Sequence, residues 1–181
     1  MAGLLPGLVV AAQRVYGDDP VAGRSVLVEA YRVTASLLVK LGEVELAWVA
    51  ADRAMTIAAG DAVPVATAAV QLGQVLRASG RARAARSTAL AAAYRIAPPD
   101  LDDGHAPVLS LCGALVIEAA LAAARDGDDH ATADLLDEAA EMAARVGDGH
   151  DNYRRRAERS APDRRCPLCG VVVTAPRPPR R

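Results

Sequence analysis

Reactive side-chain types gather at three places in the chain. Cys166-Pro-Leu-Cys169-Gly puts two thiols on a tight turn, the arrangement of one knuckle of a zinc ribbon. A structural zinc takes four ligands, yet no second C-x-x-C occurs, and His105, His130 and His150 lie in other blocks. Cys166 and Cys169 stand as candidate ligands without a completed set, so no metal and no other cofactor is expected. Asp126-Gly-Asp-Asp-His130 and Asp100-Leu-Asp-Asp-Gly-His105 set carboxylates beside histidines, which would suit a metal or an acid/base pair. The same residues also make good inter-helix turns, where Asp caps the next helix and Gly permits the bend; Asp128, ahead of residues 131–145, is well placed to cap. No G-x-S-x-G, phosphate-binding loop, dinucleotide fingerprint or H-E-x-x-H pattern occurs. The chain reads as a non-enzymatic protein.

The elements that would position any site are helices. Among 181 residues, 52% are hydrophobic, but there is no Phe, one Trp and four Tyr. Ala, Leu and Val must fill the core, and Ala-rich stretches with Leu, Arg and Glu favour helix over strand. Gly and Pro punctuation divides the first 150 residues into seven helical blocks, at about 5–16, 22–41, 43–59, 64–79, 81–97, 107–126 and 128–146. Mostly short gaps between them force antiparallel hairpins; the longer stretch 98–107 is a turn-rich connection. The apolar run 108–124 contains Glu118 and ends at Arg125-Asp-Gly, which marks it as a buried helix of a soluble protein rather than a membrane span. With no signal peptide and only three cysteines, a reducing cytoplasm is expected.

Aligning the hairpins on Gly42, Gly80 and Gly127 exposes a repeat. Five residues after each glycine stands Ala47, Ala85 or Thr132; seven further on, Ala54, Ala92 or Ala139; seven before it, Ala35, Gly73 or Ala120. Small residues at these places let helices cross at close range. The pattern resembles the tetratricopeptide repeat, with frames at 28–61, 66–99 and 113–146, although aliphatics fill most aromatic positions of that family. The run from Leu27 to Met55, with Leu41-Gly-Glu, Leu46-Ala-Trp and Ala51-Asp-Arg-Ala, is similar to the tetratricopeptide-like C-terminal region of helix-turn-helix (XRE-type) transcriptional regulators of high-GC bacteria. The resemblance implies an all-α, tetratricopeptide-like α-solenoid of about seven helices over 1–150. It also implies that Leu4–Arg14 is the second helix of an earlier repeat, without its partner and without the DNA-binding domain.

In that frame the first helix of each hairpin lines a groove. Arg32, Ser36 and Lys40 of the first repeat, Gln74 and Arg77 of the second and Arg125 of the third would face it, suiting an acidic peptide or a C-terminal carboxylate of a partner protein. Residues 151–181 differ in nature: nine Arg against three acids give +6, whereas the rest of the chain carries −7. This Arg/Pro-rich tail is expected to be disordered. Its origin is open between a native basic arm and a shifted reading frame that ends a longer regulator. Two functions follow as expectations. One is a peptide- or protein-binding sensing module with no sequence-specific DNA binding of its own and no membrane association; the other is a helical-bundle adaptor whose basic C-x-x-C tail binds nucleic acid or zinc.

Overall fold

The computed structural model describes residues 2–147, and the tail at 151–181 lies outside them. Seven α-helices follow in order: α1 (Leu5–Asp18), α2 (Pro20–Lys40), α3 (Val44–Ala58), α4 (Ala62–Ala78), α5 (Ala82–Ile96), α6 (Ala106–Asp126) and α7 (Asp129–Val146), with no strand among the described residues. The boundaries agree with the sequence reading to within about two residues, and the connection at 98–107 holds one 3-10 turn, Leu101–Asp103.

Each hairpin turn is built the same way. Gly42, Gly80 and Gly127 have φ of 79°, 73° and 77°, the left-handed conformation that glycine adopts without a Cβ penalty. That geometry returns the amides of Glu43, Arg81 and Asp128 to the carbonyls of Leu38, Leu76 and Ala123 at 2.9, 2.8 and 3.0 Å. The amides of the glycines themselves reach Val39, Arg77 and Ala124. Two otherwise orphaned carbonyls are thus satisfied at each helix end. Helix starts are fixed by aspartates: Asp19 accepts from the amides of Val21 and Ala22, Asp61 from Val63, and Asp128 from Ala131.

Every helix packs on its sequence neighbours, and α2 also packs on α4, and α4 on α6. The helices α2, α4 and α6 therefore form one row, and α3, α5 and α7 cover it from the other side. This is a solenoid-like stack of hairpins. Its core divides the labour by residue size. All the buried residues of α3 are alanines (47, 50, 51, 54 and 58), as are those of α5 (82, 85, 89, 92 and 93). The bulk comes from the other row, with Val70, Val75 and Leu76 of α4 and Leu109, Leu111, Leu115 and Val116 of α6. Large residues of α3 such as Leu46 and Val49 point outward. Of the nine small positions aligned in the sequence, eight are buried and Thr132 is half-buried.

Helix α6 is long and apolar enough to cross a membrane by length and composition alone. Here it is the central core helix, packed against α4, α5 and α7.

An alanine seam this close leaves no room for a larger side chain. Ala89→Leu is expected to destabilise the fold by about 1–3 kcal/mol, lowering the Tm by roughly 2–4 °C per kcal/mol. Leu46→Ala, on an outward position of α3, is expected to change the Tm by less than half as much. Thermal melts followed by circular dichroism check both.

Candidate functional site

Five of the six residues assigned to a groove meet. Ser36 and Lys40 of α2, Gln74 and Arg77 of α4 and Arg125 of α6 line one open depression of about 630 Å³, together with Val39, Val44 and Ala78. The repeat frame explains the convergence. Lys40, Ala78 and Arg125 occupy the same place in three successive repeats, as do Ser36 and Gln74, so each turn of the stack brings an equivalent side chain to the same face.

Arg32, the sixth, does not line it. It is 6% exposed and turned into the joint between α2 and α4. Its Nε donates to Gln71 Oε1 at 2.5 Å and its Nη1 to Glu29 Oε2 at 2.6 Å. Burial lowers the pKa of its guanidinium from the ordinary value, and the contact with Glu29 opposes that shift. The helical spacing that places Ser36 and Lys40 on the open side turns Arg32 toward α4, where its length serves to bridge two helices rather than to meet solvent.

The residue that sequence reasoning missed is Glu118. It lies in the apolar run of α6 and is 8% exposed. Its two carboxylate oxygens accept from Gln74 Nε2 and Arg77 Nη2, each at 3.1 Å. The signal was the lone acid in an otherwise apolar helix, since a buried carboxylate requires a partner. Arg77 Nε is buried with no acceptor among the described residues, so Glu118 answers only part of that guanidinium.

Charge at the depression follows from this pairing. Lys40 ends α2, while Arg77 and Arg125 stand in the last turns of α4 and α6. Three helix C-termini contribute partial negative charge that falls off within one turn, and Glu118 balances Arg77. The positive charge left to face outward is that of Lys40 and Arg125, neither of which has an ion-pair partner among the described residues.

The carboxylates of the Asp/His turns are engaged otherwise. Asp126 accepts from Arg83 Nε at 3.0 Å and Asp128 from Arg86 Nη1 at 2.7 Å, while Asp102 takes Arg145 Nε at 3.0 Å. The arginines at 83 and 86 thus tie α5 to the turn between α6 and α7. The Arg86 contact and the Ala131 amide hold the Asp128 carboxyl below its ordinary pKa. Arg81 stacks over Trp48, 5.5 Å from its ring centroid, linking two hairpins. His130 is exposed, 3.7 Å from Asp134, and no group of three metal-ligating side chains occurs among the described residues. Cys166, Cys169 and the basic tail lie outside those residues.

Comparison of the chain with protein-family models, curated proteins and solved structures gives no match.

Cys112 is buried between α5 and α6, its Sγ 3.8 Å from the Ala93 carbonyl. Burial, with a smaller contribution from Glu138, pushes its thiol up to about 11. At neutral pH it is the unreactive thiol form. Peptide mapping after brief iodoacetamide treatment is expected to find Cys112 unlabelled in the folded chain and labelled in denaturant. A second expectation concerns the buried pair. Glu118→Ala leaves Arg77 and Gln74 without their acceptor and is expected to cost about 2–3 kcal/mol. The double variant Glu118→Leu/Arg77→Leu should recover most of that loss in a thermal or urea melt.

Proposed function

We propose that the chain is a non-enzymatic, tetratricopeptide-like binding module that holds an acidic peptide segment of a partner protein across its inner row of helices. The reading is supported by one observation above others: side chains from three successive repeats line one open depression whose charges without an ion-pair partner among the described residues are Lys40 and Arg125. Ser36 and Gln74 add a hydroxyl and an amide that can donate to carbonyls of a bound backbone. Carboxylates of such a peptide would accept charge-assisted bonds from Lys40 and Arg125, which stand on the first and third repeats. A ligand spanning them bridges α2 and α6 and meets the outer row at Val44, the first residue of α3. Because both cations are exposed, the attraction is screened by salt and confers selection for charge more than high affinity.

The further reading follows the resemblance to regulator C-terminal regions. In that role the module is the sensing part of a bacterial transcriptional regulator working in the cytoplasm. A peptide seated across three repeats would favour one relative rotation of the hairpins over others, and that bias is what a sensing module passes on.

Fluorescence anisotropy with a labelled Asp/Glu-rich peptide bearing a free C-terminal carboxylate tests the binding reading. The acidic peptide is expected to bind, to weaken as salt rises, and to lose at least about tenfold in affinity for Lys40→Glu/Arg125→Glu. Equal binding of a Lys-rich peptide of the same length, or affinity unchanged in the double variant, would contradict it.

A further inference from the structure

Repeat symmetry shows what a covered end of this stack looks like, and among the described residues one end has no such cover. Val33, Gln71 and Glu118 hold the same place in the three frames. Gln71 is 7% exposed and Glu118 8%, because the preceding helix of the inner row lies over each and bonds it: α2 through Arg32, α4 through Gln74 and Arg77. Val33 is 44% exposed, and no described helix lies over it.

The neighbouring wall is bare as well. Helix α1 turns Leu5, Val9, Ala12 and Tyr16 toward the rest of the protein, the stripe expected at spacings of four, three and four. A second stripe at the same spacing, Leu4, Leu8, Ala11 and Val15, is exposed, with Leu4 at 76%. Val26 and Val33, seven residues apart on α2, continue that surface. Together α1 and α2 stand as the two walls that, by the repeat pattern, flank the place of a preceding inner helix, the slot of this end. Inside the stack the corresponding walls, α3 with α4 and α5 with α6, hold α2 and α4 respectively.

We infer that this slot is the contact by which two copies of the chain pair about a two-fold axis, the α1 of each copy lying in the slot of the other. The surface continues an interface the protein already makes within itself, helix into a two-helix slot. Its charge fits the same partner. A two-fold contact sets like against like, and the stripe Leu4, Leu8, Ala11 and Val15 carries no charge to repel itself. The opposite end of the stack could not pair this way, because α7 exposes Asp129, Asp134, Asp137 and Glu141. Ala11, small and central in the stripe, permits the two α1 helices to approach closely.

Area sets the strength. The exposed parts of Leu4, Leu8, Val15, Val26 and Val33 come to roughly 400 Å² per copy, the size of the largest apolar patch on a typical single chain, which is often a functional one. It is about half of what each partner contributes to a standard interface. A contact of that size fits a weak, transient dimer, one whose Kd falls in the micromolar range, rather than a permanent one.

Sedimentation equilibrium on the full chain, from about 1 to about 200 µM to bracket that Kd, tests the pairing. The expected result is a mass rising from one chain of 18.7 kDa toward two and stopping there. Val33→Glu and Leu8→Glu, both at exposed positions and each checked for an unchanged helical melt, are expected to remain at one chain throughout. Leu46→Glu, in the apolar depression on the other side of α1, is expected to dimerise as the parent does. A parent mass fixed at one chain would overturn the inference. So would growth beyond two chains without a plateau, dimerisation that survives both slot variants, or equal loss with Leu46→Glu.

Discussion

Ala47, Ala51, Ala54 and Ala58 recur along α3 at intervals of four, three and four, and none has any exposed surface. A helix that buries only methyl groups lets the larger side chains of its neighbours, Leu27, Val28, Tyr31 and Val75, pack down close to its backbone. That closeness governs the rest of the fold. It decides that bulk must come from the inner row, that large residues of α3 face solvent, and that all connections but the one at 97–105 reverse within three residues. The junction of α1 with α2 carries it furthest. A Cβ built at Gly23 would stand 2.5 Å from the Tyr16 Cα, so only glycine admits this crossing.

Contacts this close and this apolar do not by themselves choose one rotation of hairpin on hairpin, since alanine surfaces offer little relief. Polar bridges supply the choice. Arg32 on Gln71 links α2 to α4, and Glu118 with Gln74 and Arg77 links α4 to α6. Each bridge is buried or nearly so, where a misaligned donor or acceptor costs more than it would in water. On the outer side, Arg81 over Trp48 and the pairs Arg83–Asp126 and Arg86–Asp128 make the equivalent links at the surface, where they are worth less.

The architecture was legible in the sequence because backbone geometry dictates it. Only glycine is comfortable at the turn positions 42, 80 and 127, and only small residues fit the crossings, so both leave marks at fixed spacing. The site was legible in part. Ser36, Lys40, Gln74, Arg77 and Arg125 follow from repeat register, which sequence supplies. Arg32 and Glu118 did not, because their fate depends on which side of a helix meets the next repeat, a matter of a few tens of degrees that a small-residue pattern does not carry. The surface pairs of Arg83 with Asp126 and Arg86 with Asp128 were not legible for the same reason: the partners are more than forty residues apart in sequence.

The place of the depression along the stack bears on what it can sense. It opens at the C-terminal ends of α2, α4 and α6, beside the glycine turns and away from the buried bridges at Arg32 and Gln71. Two of its polar residues, Gln74 and Arg77, are also the ones that hold Glu118. A ligand drawing either of them toward Lys40 or Arg125 would compete with the bridge between α4 and α6, whose acceptor is only 8% exposed and so costly to leave unpaired. A peptide bound as proposed would therefore couple the open face to the rotation of the third hairpin on the second through one carboxylate. A ligand that left Gln74 and Arg77 in place would be held without being reported, whereas one that displaced them would change the joint.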